Sequence, residues 1–177
     1  STDNVSWSDV SGSSLVISAN QNATYYFRVV GIDGSTHNAS GGLPVRIDKT
    51  SPSSSVGSIL CGGSPYVWSA TVPAERDVTV TLTNPNSVLS PVTYYYSLNG
   101  TDWTALSGDT LTISDTGFSS VTYSFKAVSE SGCTGDVITA SVYIIKPVYG
   151  DITVQATLPD SSAYAGEWTN QNVTYLL

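Results

Sequence analysis

The sequence is short of charged side chains and of the residue types that most often carry chemistry. Its 177 residues include 6 Lys and Arg, 14 Asp and Glu, one His, two Cys and no Met. The net charge is −8 and no basic cluster occurs, so nothing would focus a positive field on phosphate groups. Nucleic acids and anionic membrane surfaces are therefore excluded as expected partners. No run of about 18 apolar residues is present either, so no membrane-spanning helix is predicted within this segment.

The motifs of common enzymes and cofactor sites are absent as well. His37 stands alone in a loop of Gly, Ser, Thr and Asn, and there is no G-x-S-x-G, H-E-x-x-H or phosphate-loop pattern. The segment 33–38, DGSTHN, lacks the alternating oxygen ligands of a calcium loop. Four acidic residues could in principle pair as glycosidase carboxylates do, but the sequence does not bring them together: Glu75, Asp77, Glu130 and Asp136. We expect no enzyme, no cofactor and no metal site.

What the chain has in abundance is strand-forming residues in period-2 alternation. Hydrophobic residues make up 40% of the chain and aromatic residues 10%, which distinguishes it from a disordered polar tail. No stretch of ten or more residues shows a helical stripe. Turn sequences such as Asn99-Gly100 separate five segments that alternate as strands do: 77–83, 92–98, 110–115, 121–128 and 137–145. Short strands with turns at this density predict an all-β fold built as an antiparallel β-sandwich.

The sequence also repeats itself about every 97 residues. Trp7 matches Trp103 at an offset of 96, Tyr25 matches Tyr123 at an offset of 98, and VRIDKTSP matches VYIIKP at an offset of 97. Towards the other end, WTNQNVTYLL resembles WSATVPAERDVTVTL, which begins at Trp68. These matches predict three parts: the back part of one module (1–50), a complete module (51–147) and the front part of a further module (148–177).

Alternation within the matched strands predicts which side chains face a core. Inward-facing residues are predicted on either side of an outward-facing cation in both copies: Tyr123, Phe125 and Ala127 around Lys126, and Tyr25, Phe27 and Val29 around Arg28. The tryptophans recur at matching places, which favours a structural role over sugar-stacking platforms: Trp7, Trp68, Trp103 and Trp168.

The sequence contains two cysteines that could form a disulfide. Cys61 and Cys133 have no C-x-x-C spacing, and a single His leaves too few ligands for a zinc site. We predict a disulfide that joins the start of the complete module to the turn after its Tyr123 strand, a long loop closure worth about 3–5 kcal/mol. Two buried free thiols are the alternative.

The five N-x-[ST] sequons would accept glycans in a host with that machinery: Asn4, Asn22, Asn38, Asn99 and Asn172.

The order of the repeated motifs resembles a known group of modules. A Y-Y-S-x-[ND]-G-x-x-W turn, a Y-x-[FV]-[KR]-[AV] strand and a closing I-D-K-[TS]-x-P follow one another. This pattern resembles the bacterial Ig-like and fibronectin-type repeats of large secreted and cell-surface proteins, and it covers nearly the whole chain. The resemblance implies tandem Ig-like or fibronectin-like β-sandwich modules that serve as spacers or binding modules in stalks, adhesins and extracellular enzymes.

From the resemblance we expect a non-catalytic extracellular structural element, a stalk, fibre or filament subunit of a surface protein. The alternative is a carbohydrate-binding or spacer module of a larger adhesin or extracellular glycosidase, with glycans as ligands. The partial modules allow two arrangements. The chain is a window on a longer tandem array, as the lack of a start Met suggests, or subunits join head to tail, with 148–177 of one completing 1–50 of the next by strand addition. Expected partners are adjacent repeats of the same chain or neighbouring copies of it.

Overall fold

The computed structural model describes residues 1–117, 119–147, 155–166 and 170–176. Within these residues the chain is all-β, with fourteen strands and no helix, and hence with no helix long and apolar enough to cross a membrane. The chain divides into two compact units, Ser1–Ile145 and Lys146–Leu177.

The first unit begins with four short strands in two antiparallel pairs. They are β1 (Gln21–Tyr25), β2 (Arg28–Val30), β3 (Thr36–Asn38) and β4 (Leu43–Ile47). Strand β1 pairs with β4, and β2 pairs with β3. The Ala39 N–H donates to the Phe27 carbonyl at 2.9 Å between the two pairs, so together they form one ladder, which we call the β1–β4 ladder.

Eight strands follow and form two four-stranded antiparallel sheets. They are β5 (Ser55–Cys61), β6 (Ser64–Pro65), β7 (Val78–Thr83), β8 (Val92–Ser97), β9 (Thr104–Ala105), β10 (Thr110–Ile113), β11 (Val121–Ser129) and β12 (Ile138–Val142). One sheet has the order β10-β7-β5-β6 and the other β12-β11-β8-β9. The five strands predicted from alternation correspond to β7, β8, β10, β11 and β12, so these predictions are confirmed.

The inner faces of the two sheets share one hydrophobic core. Val78, Val80 and Leu82 alternate with threonines along β7, and all three are buried. From the other sheet Phe125 is fully buried, with its ring centroid 6.4 Å from that of Trp68. Burying one such side chain stabilises the fold by about 1.5–3 kcal/mol. The shared core is consistent with the predicted β-sandwich, and the predicted inward face of β11 is buried; we call residues 53–145 the central sandwich.

Strand β12 ends earlier than the predicted 145 because the chain changes partners there. Thr116 Oγ1 accepts a hydrogen bond from the Ile144 N–H at 2.8 Å and donates one to the Ile144 carbonyl at 3.3 Å. The Ala74 N–H donates to the Tyr143 carbonyl at 2.7 Å, and the Ile145 N–H donates to the Ala74 carbonyl at 2.9 Å. The last residues before the second unit are therefore bonded to the segment before β7 and to a buried hydroxyl group.

The β1–β4 ladder repeats the pairing of β11 with β12. Tyr25 lies opposite Leu43 in the ladder, and Tyr123 lies opposite Ala140 in the central sandwich, which are positions 98 and 97 residues apart. The matching strand is interrupted between β1 and β2, whereas β11 is continuous. The predicted inward residue Phe27 is not buried, because no described sheet packs over this face of the ladder.

The second unit contains β13 (Gln155–Thr157) and β14 (Thr174–Leu176), which form an antiparallel pair. The Tyr164 N–H donates to the Ala156 carbonyl at 2.8 Å. In the first unit, the equivalent hydrogen bond is the one that the Tyr66 N–H donates to the Ile59 carbonyl at 2.9 Å. Trp168, which the sequence matched to a tryptophan of the complete module, lies outside the described residues.

Candidate functional site

The predicted disulfide is wrong, because its two cysteines lie at opposite ends of β5. Cys61 is the last residue of that strand. Cys133 lies in the turn after β11, close to the start of β5, since the Ala127 N–H donates to Ser54 Oγ at 2.7 Å and the Gly135 N–H donates to the Ala127 carbonyl at 2.8 Å. A seven-residue strand spans roughly 20 Å, and a disulfide needs Cα atoms within about 7 Å. Both residues are free, half-buried thiols.

The central sandwich therefore has two distinct ends. We call the end with Ser54 and Cys133 the junction end and the end with Cys61 the far end. Glu75 and Asp77 precede β7 at the far end, whereas the other two acids proposed from the sequence, Glu130 and Asp136, flank the Cys133 turn. The structure does not bring these two pairs together. Among the described residues, no group of three or more His, Cys, Asp or Glu side chains is placed to hold a metal.

The turn that opens the chain is built like the turn after β8. Asp3 Oδ1 accepts hydrogen bonds from the N–H groups two and three residues later, both at 2.8 Å, and from the Ser1 hydroxyl at 2.9 Å. Asn99 Oδ1 accepts the equivalent N–H groups at 2.9 and 2.8 Å and the Ser97 hydroxyl at 3.0 Å. The next residue has a positive φ in both turns, 58° and 76°, as such turns require. The Val5 N–H contributes most to holding the pKa of Asp3 well below its usual value.

Each of these turns ends in a tryptophan that is covered by a cation. The Arg28 guanidinium lies 4.4 Å from the ring centroid of Trp7, and the Lys126 ammonium lies 4.2 Å from that of Trp103. Such contacts are worth about 0.5–1 kcal/mol at exposed sites. Alternation predicted that both cations point outward, but no sequence signal identified the rings as their partners. With Trp68 against the core, each described tryptophan contacts another side chain of the protein.

The linker between the β1–β4 ladder and the central sandwich is held by Asp48. Its Oδ2 accepts hydrogen bonds from the Leu89 N–H at 2.9 Å, the Ser90 N–H at 2.8 Å and the Ser90 hydroxyl at 2.7 Å, and its Oδ1 accepts one from the Thr50 N–H at 3.1 Å. The Cys133 thiol lies 3.7 Å from the Asp48 carbonyl oxygen. The residue is only 9% exposed. The Ser90 hydroxyl contributes most to lowering the pKa of Asp48 to about 2, so the carboxylate is charged at neutral pH.

Further hydrogen bonds fix the linker on both sides of Asp48. Towards the ladder, the Lys49 N–H donates to Asn20 Oδ1 at 2.9 Å, and Asn20 Nδ2 donates to Thr50 Oγ1 at 2.7 Å. Towards the central sandwich, the Ser53 N–H donates to Asn84 Oδ1 at 2.8 Å. The linker is thus bonded to the elements before it and after it, and we call residues 48–54 with these partners the junction.

Sequence reasoning used Asp48 only as part of a closing motif. Its partners Leu89 and Ser90 lie 41 and 42 residues away, and nothing in their sequence context marks them as donors to a carboxylate. At the equivalent position of the next linker, 97 residues later, stands Ile145, whose side chain cannot accept a hydrogen bond. The chain continues through the first linker as one compact unit and divides after Ile145.

The face of the ladder that corresponds to the core side of β11 is open. Phe27 is 36% exposed, whereas its counterpart Phe125 is 0% exposed; Val29 is 71% exposed, whereas Ala127 is 0% exposed. The exposed apolar residues of this part also include Val10, Leu15 and Leu43, which lies opposite Tyr25 in the ladder. Two grooves of about 810 and 530 Å³ run along Val10, Leu15, Phe27 and Val29. We call the surface formed by Val10, Leu15, Phe27, Val29 and Leu43 the open face.

The sequons all lie at exposed positions: Asn4, Asn22, Asn38, Asn99 and Asn172. Asn99 differs from the rest of the first unit's sequons because its Nδ2 donates to Asp102 Oδ2 at 2.6 Å. A glycan would replace one of the two hydrogens on that nitrogen and crowd its contact with Asp102. Glycosylation therefore stays a prediction, with Asn99 as the least suitable acceptor.

Comparison with known proteins adds no further assignment. No protein-family model, no curated protein and no solved structure matches this chain. What the chain does must therefore be argued from its own geometry.

Proposed function

We propose that this chain is a non-catalytic structural element of an extracellular surface protein, a stalk, fibre or filament subunit built from tandem Ig-like or fibronectin-type β-sandwich modules. Its partners are adjacent repeats of the same chain or neighbouring copies of it. The observation that carries the proposal is the junction. A spacer must keep successive modules at a fixed angle, and a buried carboxylate with four donors provides that constraint where a flexible linker would not.

The internal repetition supports the tandem arrangement. The first part and the central sandwich share a strand register, a hydrogen-bonded turn and a cation over a tryptophan ring. In the second unit, β13 and β14 pair in the register of β5 and β7. Agreement in main-chain register supports the tandem arrangement more strongly than similarity of short motifs does. A register shift of one residue would turn every side chain of a strand to the opposite face of the sheet.

The carbohydrate-binding alternative stays a prediction with weaker support. A sugar ring stacks on an aromatic face that is free. In the described part of the chain, Trp7 and Trp103 each carry a cation on one face, and Trp68 packs against Phe125. Glycan-array binding by the full chain would favour that alternative over a purely structural role.

The test of the proposal is the rigidity of the junction. In Asp48→Ala the donors of Leu89 and Ser90 lose their acceptor, so we expect the ladder to reorient independently of the central sandwich. Amide ¹⁵N relaxation of the full chain, at a dilution where it is monomeric, would show one rotational correlation time shared by the ladder and the central sandwich in the wild type and two different ones in the variant. Asp33→Ala is the matched control, because Asp33 accepts hydrogen bonds within its own exposed hairpin turn. Independent tumbling already in the wild type would refute the proposed spacer role.

A further inference from the structure

We propose that the open face is a docking site for strands β13 and β14 of a second copy of this chain, so that copies join head to tail. This inference rests on the proposed function and names the partner of its first part. The contact is between different surfaces of two identical molecules, and such a heterologous contact propagates into a filament unless the rotation closes a ring.

The central sandwich shows what kind of structure covers such a face. There, β7 supplies Val78, Val80 and Leu82 over Phe125, and all four side chains are buried. Strand β5 pairs with β7 and extends the covering sheet. The open face offers Phe27 at the position of Phe125, so the surface that fits it is a β5–β7 type strand pair.

Strands β13 and β14 are such a pair. Ala156 lies opposite Tyr175 in this pair, as Ile59 lies opposite Val80 in the central sandwich. Val80 is fully buried against the core, whereas Tyr175 is 65% exposed. The second unit therefore presents an uncovered aromatic ring at the register position that meets the core in the complete sandwich. The β13–β14 pair and the open face therefore correspond to the two packed faces of the central sandwich, where the same packing is complete.

The open face supplies a substantial part of the apolar area that a specific contact buries. Its five side chains are 36–71% exposed, so at about 60–120 Å² for each fully exposed aliphatic or aromatic side chain they present roughly 150–300 Å² of apolar surface. A standard interface buries about 800 Å² on each partner, of which roughly 450 Å² is apolar. The open face alone supplies about one third to two thirds of that apolar share, and the main chain of the added strands contributes further area.

Two charge substitutions test the contact from its two sides. Val29→Asp places a carboxylate in the open face, and Tyr175→Asp places one on β14. Both side chains are largely exposed in the single chain, so each variant should keep its fold, which circular dichroism checks. Burying an unpaired carboxylate should weaken association more than about 100-fold. The matched control is Val67→Asp, at a position 82% exposed on the central sandwich.

Sedimentation velocity and negative-stain electron microscopy of the full chain give the readout. We expect the wild type and the Val67→Asp variant to form long particles, and each of the other two variants to be monomeric. An equimolar mixture of Val29→Asp and Tyr175→Asp should give one discrete species of twice the chain mass. In that mixture the intact β14 of the first variant meets the intact open face of the second, and growth then stops.

Three results would overturn the inference: a wild-type chain that stays monomeric up to about 1 mM, a Val29→Asp variant that assembles as the wild type does, or a mixture that yields no dimer. Normal association of the Tyr175→Asp variant would also overturn it, because it would indicate an isologous contact between two open faces. None of these results bears on the junction. A monomeric chain with one shared correlation time would refute head-to-tail docking and leave the proposed spacer role standing.

Discussion

Truncating the two equivalent phenylalanines should have very different costs. Phe125 is fully buried, with its ring centroid 6.4 Å from that of Trp68 and 6.3 Å from that of Tyr123. Phe125→Ala removes all of these contacts and leaves a cavity that two sheets cannot easily close, so we expect a loss of about 3–5 kcal/mol in the free energy of unfolding. Phe27→Ala removes only the contacts of a partly exposed ring, and about half that loss is expected in dilute solution.

Urea titration followed by residue-resolved NMR would measure both losses separately. The amide signal of Val142 reports on the central sandwich, and that of Val45 reports on the ladder, because the two residues occupy equivalent strands. Leu98→Ala, at a surface position, serves as the control with little expected effect. Equal losses for Phe27→Ala and Phe125→Ala would contradict the open face, since they would mean that a core covers Phe27 in the single chain.

Three further predictions concern the junction and the ends of the sandwich. The donors around Asp48 stabilise its charged form, so their contribution is present above the usual pKa of 3.8 and is lost as the pH falls through about 2; a carboxyl ¹³C titration with a midpoint near 3.8 would disprove this. Cys61 and Cys133 should both react with a thiol reagent without prior reduction, and a count of zero labels by mass spectrometry would restore the disulfide. Thr116→Val should cost about 2–3 kcal/mol, because two buried main-chain groups lose their partner, and thermal unfolding measures it.

The sequence was sufficient to predict the strands and the faces of the central sandwich. Alternation in β7 and β11 has a period of two, and the period by itself assigns Val80 and Phe125 to the inside. The same rule failed for Phe27, although its sequence context matches that of Phe125. Hydrophobic alternation identifies the face of a strand that can be buried. Burial also requires a second sheet over that face, and the alternation within one strand carries no information about the second sheet.

The junction and the cysteines show a second limit. Asp48 bonds to Ser90, which lies 42 positions later in the sequence. Cys61 does not reach Cys133, which lies 72 positions later. Both outcomes depend on which end of the sandwich each residue occupies. That depends on strand direction and order, which local patterns do not encode. The sequence favoured a disulfide because the two cysteines have no C-x-x-C spacing and a single His leaves too few ligands for a zinc site. The length of β5 decides against it.

The two linkers differ at one position that bears on how firmly each linker of the proposed spacer is held. Both follow the same strand and end in Lys, but the first has Asp48 where the second has Ile145. The Asp48 carboxylate accepts four hydrogen bonds in the junction, whereas the Ile145 side chain can accept none and its main-chain N–H donates to the Ala74 carbonyl. In the proposed spacer, successive linkers therefore need not be held by the same number of side-chain hydrogen bonds. The residue after the last strand decides that number, and it can change without altering the sandwich core.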